Sequence, residues 1–208
     1  MTLQQLFGTE LPIIQAPMAS VQTSALAIAV SNAGGLGSLP CALLAPAAVR
    51  DELAAIKAQT RKPFNVNFFC HNPPEADAGR EARWRAALAP YYKEYEIDAA
   101  KIPAGPGGAP FGSEAIEIIE AFKPAVVSFH FGLPPAELLA KVRATGAKIL
   151  GSATTVEEAR WLEAQGADAV IAQGIEAGGH RGLFLSDDLT TQIGTFGRCP
   201  VRCAGAGA

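Results

Sequence analysis

The stretch KILGSATTVEEARWLEAQGADAVIAQG, residues 148–174, contains a complete strand-helix-strand unit and decides the fold class. Both of its ends are short apolar runs, which are typical of buried parallel strands. Between them, Thr155 precedes two glutamates, and Gly166 follows the helical stretch. A hydroxyl at the N-cap, acids in the first turn and glycine after the last turn are the usual boundaries of an α-helix. The stretch therefore predicts a parallel β-α-β unit.

The same alternation of apolar runs and helical stretches continues upstream of this unit. In all, the pattern predicts six strands, at 12–18, 35–40, 64–69, 125–131, 148–153 and 169–174. The helices predicted between them lie at 24–33, 46–60, 113–122, 135–145 and 155–165. Strands that alternate with helices place the chain in the α/β class.

Two architectures accommodate these units, an open doubly wound sheet and a (β/α)8 TIM barrel. A doubly wound sheet usually carries G-x-G-x-x-G in its first turn, but the turn after the first predicted strand reads APMAS, residues 16–20. Barrel enzymes instead draw their site from the carboxyl ends of several strands. The polar or polarisable side chains at those ends are Met18, Asn67, His130, Ser152 and Gln173. We therefore predict a TIM barrel.

The predicted barrel is incomplete, because the chain has 208 residues whereas a (β/α)8 barrel takes about 250. We expect residues 1–196 to form a barrel domain that is C-terminally truncated after about six β/α units. Residues 197–208, GRCPVRCAGAGA, have neither helical nor strand periodicity and predict an irregular tail.

An excursion at 70–112 interrupts the rhythm after the third predicted strand. Proline-rich stretches bracket a helical segment at 81–93 that contains Trp84 and Tyr91. Long excursions at this end of a strand are commonly lids or binding loops. We expect the aromatic residues to pack this helix onto the rim of the barrel, with contact to substrate as the alternative.

Composition excludes several classes of partner. A formal net charge of −3 and a pI near 5.6 offer no basic surface for nucleic acid. No apolar run approaches the about 20 residues of a membrane span, and no secretory signal is visible, so we expect a cytoplasmic protein. The four cysteines are scattered and indicate neither disulfides nor a metal site. The composition leaves open whether the chain forms a homo-oligomer.

The loop that follows the last predicted strand holds the strongest candidate for catalysis. Here His180 stands between Gly178-Gly179 and Gly182. Glycines remove side-chain bulk, so a flat ligand can approach the backbone and meet the imidazole. Imidazole exchanges protons near neutral pH and can stabilise an anion. The alternative is a surface loop whose glycines merely turn the chain.

Four motifs, in order along the chain, resemble those of class I nitronate monooxygenases, once called 2-nitropropane dioxygenases. They are QAPM at 15–18, FNVNFF at 64–69, VSFHFG at 127–132 and AQGIEAGGHRG at 172–182. The resemblance implies a barrel that binds flavin mononucleotide (FMN) and oxidises alkyl nitronates with molecular oxygen to a carbonyl compound and nitrite.

The resemblance also implies roles for individual residues. His180 would act beside the flavin ring, as a proton acceptor or as the group that stabilises the nitronate anion. His130 and Ser152 would line the same opening. The residues implied to contact FMN are Ala16, Pro17, Met18, Asn67, Gln173, Gly178 and Gly179.

Two alternatives to the monooxygenase stay open on the sequence. One is an FMN-dependent NAD(P)H reductase acting on enoyl thioesters or quinones, a class that resembles this family. The other is a non-catalytic fragment, which the tail at 197–208 favours, because the phosphate of the cofactor usually binds after strands seven and eight of a barrel. Our hypothesis for the tail is truncation or a frameshift.

Overall fold

The computed structural model describes residues 1–102 and 109–196, and its centre is a five-stranded parallel sheet. The strands are β1 (Gly37–Pro40), β2 (Phe64–Phe69), β3 (Val126–His130), β4 (Lys148–Ala153) and β5 (Ala169–Ala172). Each strand lies beside its neighbour in the chain, in the order β1-β2-β3-β4-β5. A doubly wound sheet reverses its strand order at a switch point. The sheet therefore has the topology of a TIM barrel, as predicted.

In the described part of the chain, seven α-helices alternate with, or precede, the strands. They are α1 (Leu3–Phe7), α2 (Ser24–Asn32), α3 (Pro46–Gln59), α4 (Ala78–Glu94), α5 (Ser113–Phe122), α6 (Ala136–Ala144) and α7 (Val156–Ala164). Two short 3₁₀-helices lie at Ala99–Lys101 and Leu189–Thr191. The five helices predicted between strands are confirmed to within one residue at each end. The sequence analysis did not predict α1, which is five residues long.

The first predicted strand, at 12–18, is wrong as a strand. Only one parallel bridge forms there, between Ile14 and Leu36, with hydrogen bonds from Gln15 N to Leu36 O and from Leu36 N to Ile13 O. Pro17 has no N–H to continue a ladder. The segment therefore lies beside the sheet without becoming its sixth strand.

Buried apolar clusters lie on both faces of the sheet. On the outer face, Val66, Val127 and Ile149 pack against helix residues such as Ile56 and Val142, and all five side chains are fully buried. Burying one such side chain contributes about 1.5–3 kcal/mol. On the opposite, inner face, a second cluster joins α1 to the strands and consists of Phe7, Leu36, Val126 and Leu150. Helix α1 thus covers the amino ends of the strands and leaves their carboxyl ends for the site.

Helix α4, in the predicted excursion, does not pack as expected. It has no buried residue, and Trp84 is 62% exposed and Tyr91 56% exposed. Its N-cap, Asp77, accepts a hydrogen bond from Arg80 N, so local interactions define where the helix begins. The expectation that its aromatic residues dock on the barrel rim is wrong.

Across residues 1–102 and 109–196, no helix is both long and apolar enough to span a membrane.

Candidate active site

A cluster of five rings lies at the carboxyl ends of β2 and β3. It contains all three histidines of the chain, His71, His130 and His180, together with Phe69 and Phe131. Phe69 and His130 are register partners in the sheet, which brings their side chains together. The His180 ring lies 5.1 Å from the ring of Phe69 and 6.0 Å from that of Phe131, measured between centroids. The pairing of β2 with β3 therefore brings His71 near His130, and the loop after β5 adds His180 to the cluster.

The turn after β3 has an unusual backbone. Phe131 has φ +66°, a left-handed backbone conformation that residues other than glycine rarely adopt, and Gly132 follows with φ +88°. This conformation costs a non-glycine residue about 1–3 kcal/mol of folding free energy, and it is typical of functional sites. A side chain at Gly132 would meet the ring of Phe184 at 3.2 Å. The turn directs the Phe131 ring back to His130, with 4.6 Å between their centroids.

The His180 loop is bound to the end of β5 through the side chain of Gln173. Nε2 of Gln173 donates to the backbone oxygen of His180 at 2.8 Å, and the backbone N–H of Gly182 donates to Oε1 of Gln173 at 2.7 Å. Both ends of the amide are therefore used by the loop. The sequence predicted Gln173 as a flavin contact, but this pairing with the loop was not foreseen.

A second side chain, His130, reaches the same carbonyl. Its Nε2 lies 3.0 Å from the backbone oxygen of His180, so Nε2 carries the proton and donates. Burial lowers the pKa of His130; the nearby His180 adds to this, while the hydrogen bond and Glu158 oppose it. The lowered pKa favours the neutral form of His130. A side chain at Gly182 would lie 2.6 Å from Cε1 of His130, so the loop must have glycine there.

Glu158, on α7, fixes the segment that follows the loop. Its side chain is buried and accepts from the backbone N–H groups of Phe184 at 2.7 Å and Leu185 at 3.3 Å. It also accepts from N and Oγ1 of Thr154, at 2.6 and 2.8 Å. Buried carboxylates need such donors. The sequence analysis assigned this glutamate only to the start of a helix, because its partners at 184–185 are not local.

The inner face of the sheet carries a buried polar group below the ring cluster. Nδ2 of Asn67 and Nδ2 of Asn65 each lie 2.9 Å from Oγ of Ser128, and Asn65 also donates to Oγ of Ser38 at 3.0 Å. Oδ1 of Asn65 is buried without a hydrogen-bond partner in the described part of the chain. Asn67 thus has a fixed orientation at the carboxyl end of β2. Ser152 is buried on β4.

The segment 16–18 is held next to β1 by two glutamines. Nε2 of Gln15 donates to the backbone oxygen of Ala16 at 2.9 Å and to Oε1 of Gln22 at 2.6 Å. Oε1 of Gln22 in turn accepts from the backbone N–H of Met18 at 3.2 Å. Ala16 and Met18 are exposed and Pro17 is half-buried. These hydrogen bonds fix the segment at the first strand, apart from the histidine cluster.

Gly178 and Gly179 have an open side. A Cβ built at either residue would meet no atom within 4 Å among the described residues, and Gly179 has φ +73°. The positive φ explains glycine at position 179. Packing within the described residues does not require glycine at position 178, where an added Cβ would meet open space.

The geometry thus unites three of the residues predicted from sequence, His130, Gln173 and His180, and places Gly178 and Gly179 beside them. Asn67 lies on β2 and Ser152 on β4, while the segment 16–18 lies beside β1 without forming a strand. Among the described residues, no group of His, Cys, Asp and Glu is arranged to hold a metal ion.

Burial raises the pKa of the Cys41 thiol to about 12. Cys199 and Cys203 lie outside the described residues, as does the predicted tail at 197–208.

Comparison with known proteins gives a consistent result. A family profile described as nitronate monooxygenase matches residues 1–201. A protein named nitronate monooxygenase from Paraburkholderia phytofirmans is 45% identical, over 98% of this chain and 58% of its own length. Another of the same name, from Pseudomonas aeruginosa, is 44% identical, over 97% of this chain and 60% of its own length. The chain therefore spans less than two thirds of either relative.

Solved structures share the fold. A crystal structure of nitroalkane oxidase from Streptomyces ansochromogenes matches with a TM-score of 0.81 and 39% identity, over 93% of this chain and 55% of that protein. FabK from Thermotoga maritima matches with a TM-score of 0.62 and 27% identity, over 88% of this chain and 46% of that protein. The similarity to nitroalkane oxidase is thus greater in both sequence and structure.

Proposed function

The chain belongs to the nitronate monooxygenase family, and on that premise we propose that it carries active-site residues of an FMN-dependent enzyme that oxidises alkyl nitronates with molecular oxygen. The products would be a carbonyl compound and nitrite. The observation that supports this proposal most directly is the position of His180. Its imidazole stands beside the open backbone of Gly178 and Gly179, while its own backbone is held by Gln173.

The residues at the carboxyl ends of the strands suit a flavin. An isoalloxazine ring is flat and has donors and acceptors along its edge. Open glycine backbone at 178–179 offers a flat approach, and Asn67 offers an amide of fixed orientation. The segment 16–18, in which Ala16 and Met18 are exposed, offers a further surface against which the ring could lie. We propose that these residues hold FMN, which when bound supplies electron transfer between the nitronate and oxygen.

Gln173 takes part in a different way from the other proposed cofactor residues. Both ends of its side-chain amide are paired with the His180 loop. Its contribution to FMN binding therefore comes through its backbone, or through the loop that it holds.

His180 has two chemical tasks within reach. A nitronate is an anion, and an imidazole can stabilise it by a hydrogen bond or accept a proton from the parent nitroalkane. The rings of Phe69 and Phe131 lie beside the imidazole, which is exposed and therefore accessible to a substrate. Neutral His130 and Ser152 would complete the lining around the substrate. A cytoplasmic location and a homo-oligomer stay predictions from the sequence.

The experiment is a comparison of His180→Asn with His71→Asn in FMN-loaded protein. The first variant should lower the rate of nitronate oxidation by about 10² or more, the usual size of an acid-base contribution. The second removes an imidazole from the same ring cluster and should have a much smaller effect. Equal losses in both variants would assign His180 a packing role only.

The same preparation separates the two alternative functions. Under anaerobic conditions, a nitronate should reduce the bound flavin and NADH should not. Reduction by NADH alone would support the NAD(P)H reductase. Failure to retain FMN at all would support the non-catalytic fragment.

A further inference from the structure

We propose that Gln173 and His130 are positioning residues, which together clamp the backbone of 180–182 and thereby set the location of the His180 imidazole. This inference rests on the proposed function for the role of His180. Its structural part, that these two side chains hold the loop, is independent of the reaction and is tested separately below.

The first support is the way in which Gln173 pairs with the loop. Its Nε2 donates to the oxygen of residue 180 and its Oε1 accepts from the nitrogen of residue 182. These two backbone groups lie on either side of Arg181. In a parallel β-ladder, the N–H and C=O of a single residue on the neighbouring strand would satisfy the same pair. The side-chain amide therefore replaces a strand partner, at a point where β5 has already ended at Ala172.

Gln173 itself is well placed to act as an anchor. Its backbone N–H donates to the oxygen of Ala153 at 2.9 Å, which continues the pairing of β5 with β4 by one step. The clamp thus connects the loop to the rigid sheet through a single side chain. A residue on a sheet positions a catalytic group more precisely than a residue on a loop does.

The second support is His130, which reaches the loop from another strand. The oxygen of His180 accepts from Nε2 of His130 as well as from Nε2 of Gln173, at 3.0 and 2.8 Å. The His130 ring also lies so close to Gly182 that a methyl group there would approach its Cε1 to 2.6 Å. Strands β3 and β5 therefore hold the same three residues of the loop from two directions.

The His180 imidazole depends on this support from its backbone. Within the described residues, its ring contacts Phe69 and Phe131 but forms no hydrogen bond. Aromatic contacts limit the tilt of a ring and leave its nitrogens free. The distance from those nitrogens to a substrate is thus set by where the backbone of residue 180 lies. A misplacement of about 1 Å can cost about 10² in rate.

The test uses Gln173→Leu, with Gln59→Leu as its matched control. Leucine has nearly the shape of glutamine and forms neither hydrogen bond. Gln59 is exposed in the last turn of α3, so the control makes the same chemical change without touching the loop. The measurements are hydrogen exchange at the amide of Gly182 and the NMR signals of the His180 imidazole, neither of which requires FMN or turnover.

We expect exchange at the Gly182 amide to accelerate by about tenfold in Gln173→Leu, which corresponds to the loss of one neutral hydrogen bond. The His180 ring signals should shift in the same variant. Neither should change in Gln59→Leu. A folded Gln173→Leu protein with wild-type exchange and wild-type His180 signals would overturn the clamp.

A second variant, Gln173→Glu, keeps the test valid if the leucine variant does not fold. Glutamate still accepts from Gly182 N but places a carboxylate against the oxygen of His180 and beside Nε2 of His130. We expect slow exchange at Gly182 to persist, the His180 signals to move, and the pKa of His130 to rise beside the new charge. Unchanged His130 and His180 signals would contradict the proposal.

Kinetics then separate the clamp from the proposed function. In FMN-loaded protein, with rates normalised to bound flavin, both Gln173 variants should lower kcat for a nitronate by about tenfold or more, with KM close to wild type. If the wild-type protein oxidises no nitronate, the proposed function fails, while the exchange measurement still decides the clamp. If exchange changes but kcat does not, the clamp exists without the positioning role, and the inference is wrong.

Discussion

Glu158 and Phe184 are joined by a hydrogen bond of 2.7 Å between a buried carboxylate oxygen and a backbone N–H, 26 residues apart in the chain. The same carboxylate caps Thr154 at the end of β4. The start of α7 and the segment beyond the His180 loop therefore share one anchor. A change at this anchor acts on fold and site together.

Glu158→Gln should destabilise the protein. The two carboxylate oxygens of Glu158 accept hydrogen bonds from four donor groups. In the glutamine variant, an NH₂ group, which cannot accept, replaces one of these two oxygens. Hydrogen bonds to a charged group contribute about 1.5–3 kcal/mol each, so we expect the free energy of unfolding to fall by about 2–3 kcal/mol. Urea unfolding measures it. Glu157→Gln, an exposed neighbour, is the control, and an equal loss there would show that helix charge is responsible instead.

Ser128→Ala tests the polar group on the inner face of the sheet. Its hydroxyl accepts from the amides of both Asn65 and Asn67, which would lose this buried partner. We expect a loss of about 1–3 kcal/mol in unfolding free energy. FMN affinity should also fall, because Asn67 would keep only its longer hydrogen bond, at 3.3 Å, to the backbone oxygen of Ser128. The exposed Ser113→Ala is the control. Wild-type FMN affinity in a folded Ser128→Ala protein would show that the Ser128 hydroxyl does not orient Asn67 for the cofactor.

His130 predicts a pH dependence of stability. Burial holds its pKa below the usual 6.5 in the folded protein, so the unfolded chain binds a proton more readily. The stabilisation from neutral His130 is complete above pH 6.5 and is lost as the pH falls from there through the lowered pKa. Unfolding free energy should therefore decline below pH 6.5, and less steeply in His130→Gln. Identical pH profiles for wild type and variant would contradict this assignment.

The sequence predicts the helices well because caps and periodicity are local properties. It fails where an element or a side chain depends on distant partners. The segment around Ile14 has the composition of a strand but forms only one bridge, and α4 has aromatic residues that find no surface to bury them. The motif around His180 predicted a candidate residue that the structure places in the ring cluster, since glycines beside a histidine are visible in the sequence. The roles of Gln173 and Glu158 were not visible, because their partners are backbone groups of a loop.

Gly178→Ala separates a ligand contact from protein packing. Gly178 has no atom of the described chain within 4 Å of an added Cβ, and its φ lies outside the left-handed region that requires glycine. Alanine should therefore leave stability unchanged, or raise it slightly by restricting the unfolded chain. If FMN approaches this backbone as proposed, the same methyl group should lower FMN affinity by about tenfold or more, since overpacking of a close contact costs about 1–3 kcal/mol. Flavin fluorescence titration measures the affinity, and thermal unfolding measures the stability.

Gly182→Ala is the contrasting variant, because its methyl group would clash with the His130 ring and lower stability directly. Unchanged FMN affinity in Gly178→Ala would place the flavin away from this loop.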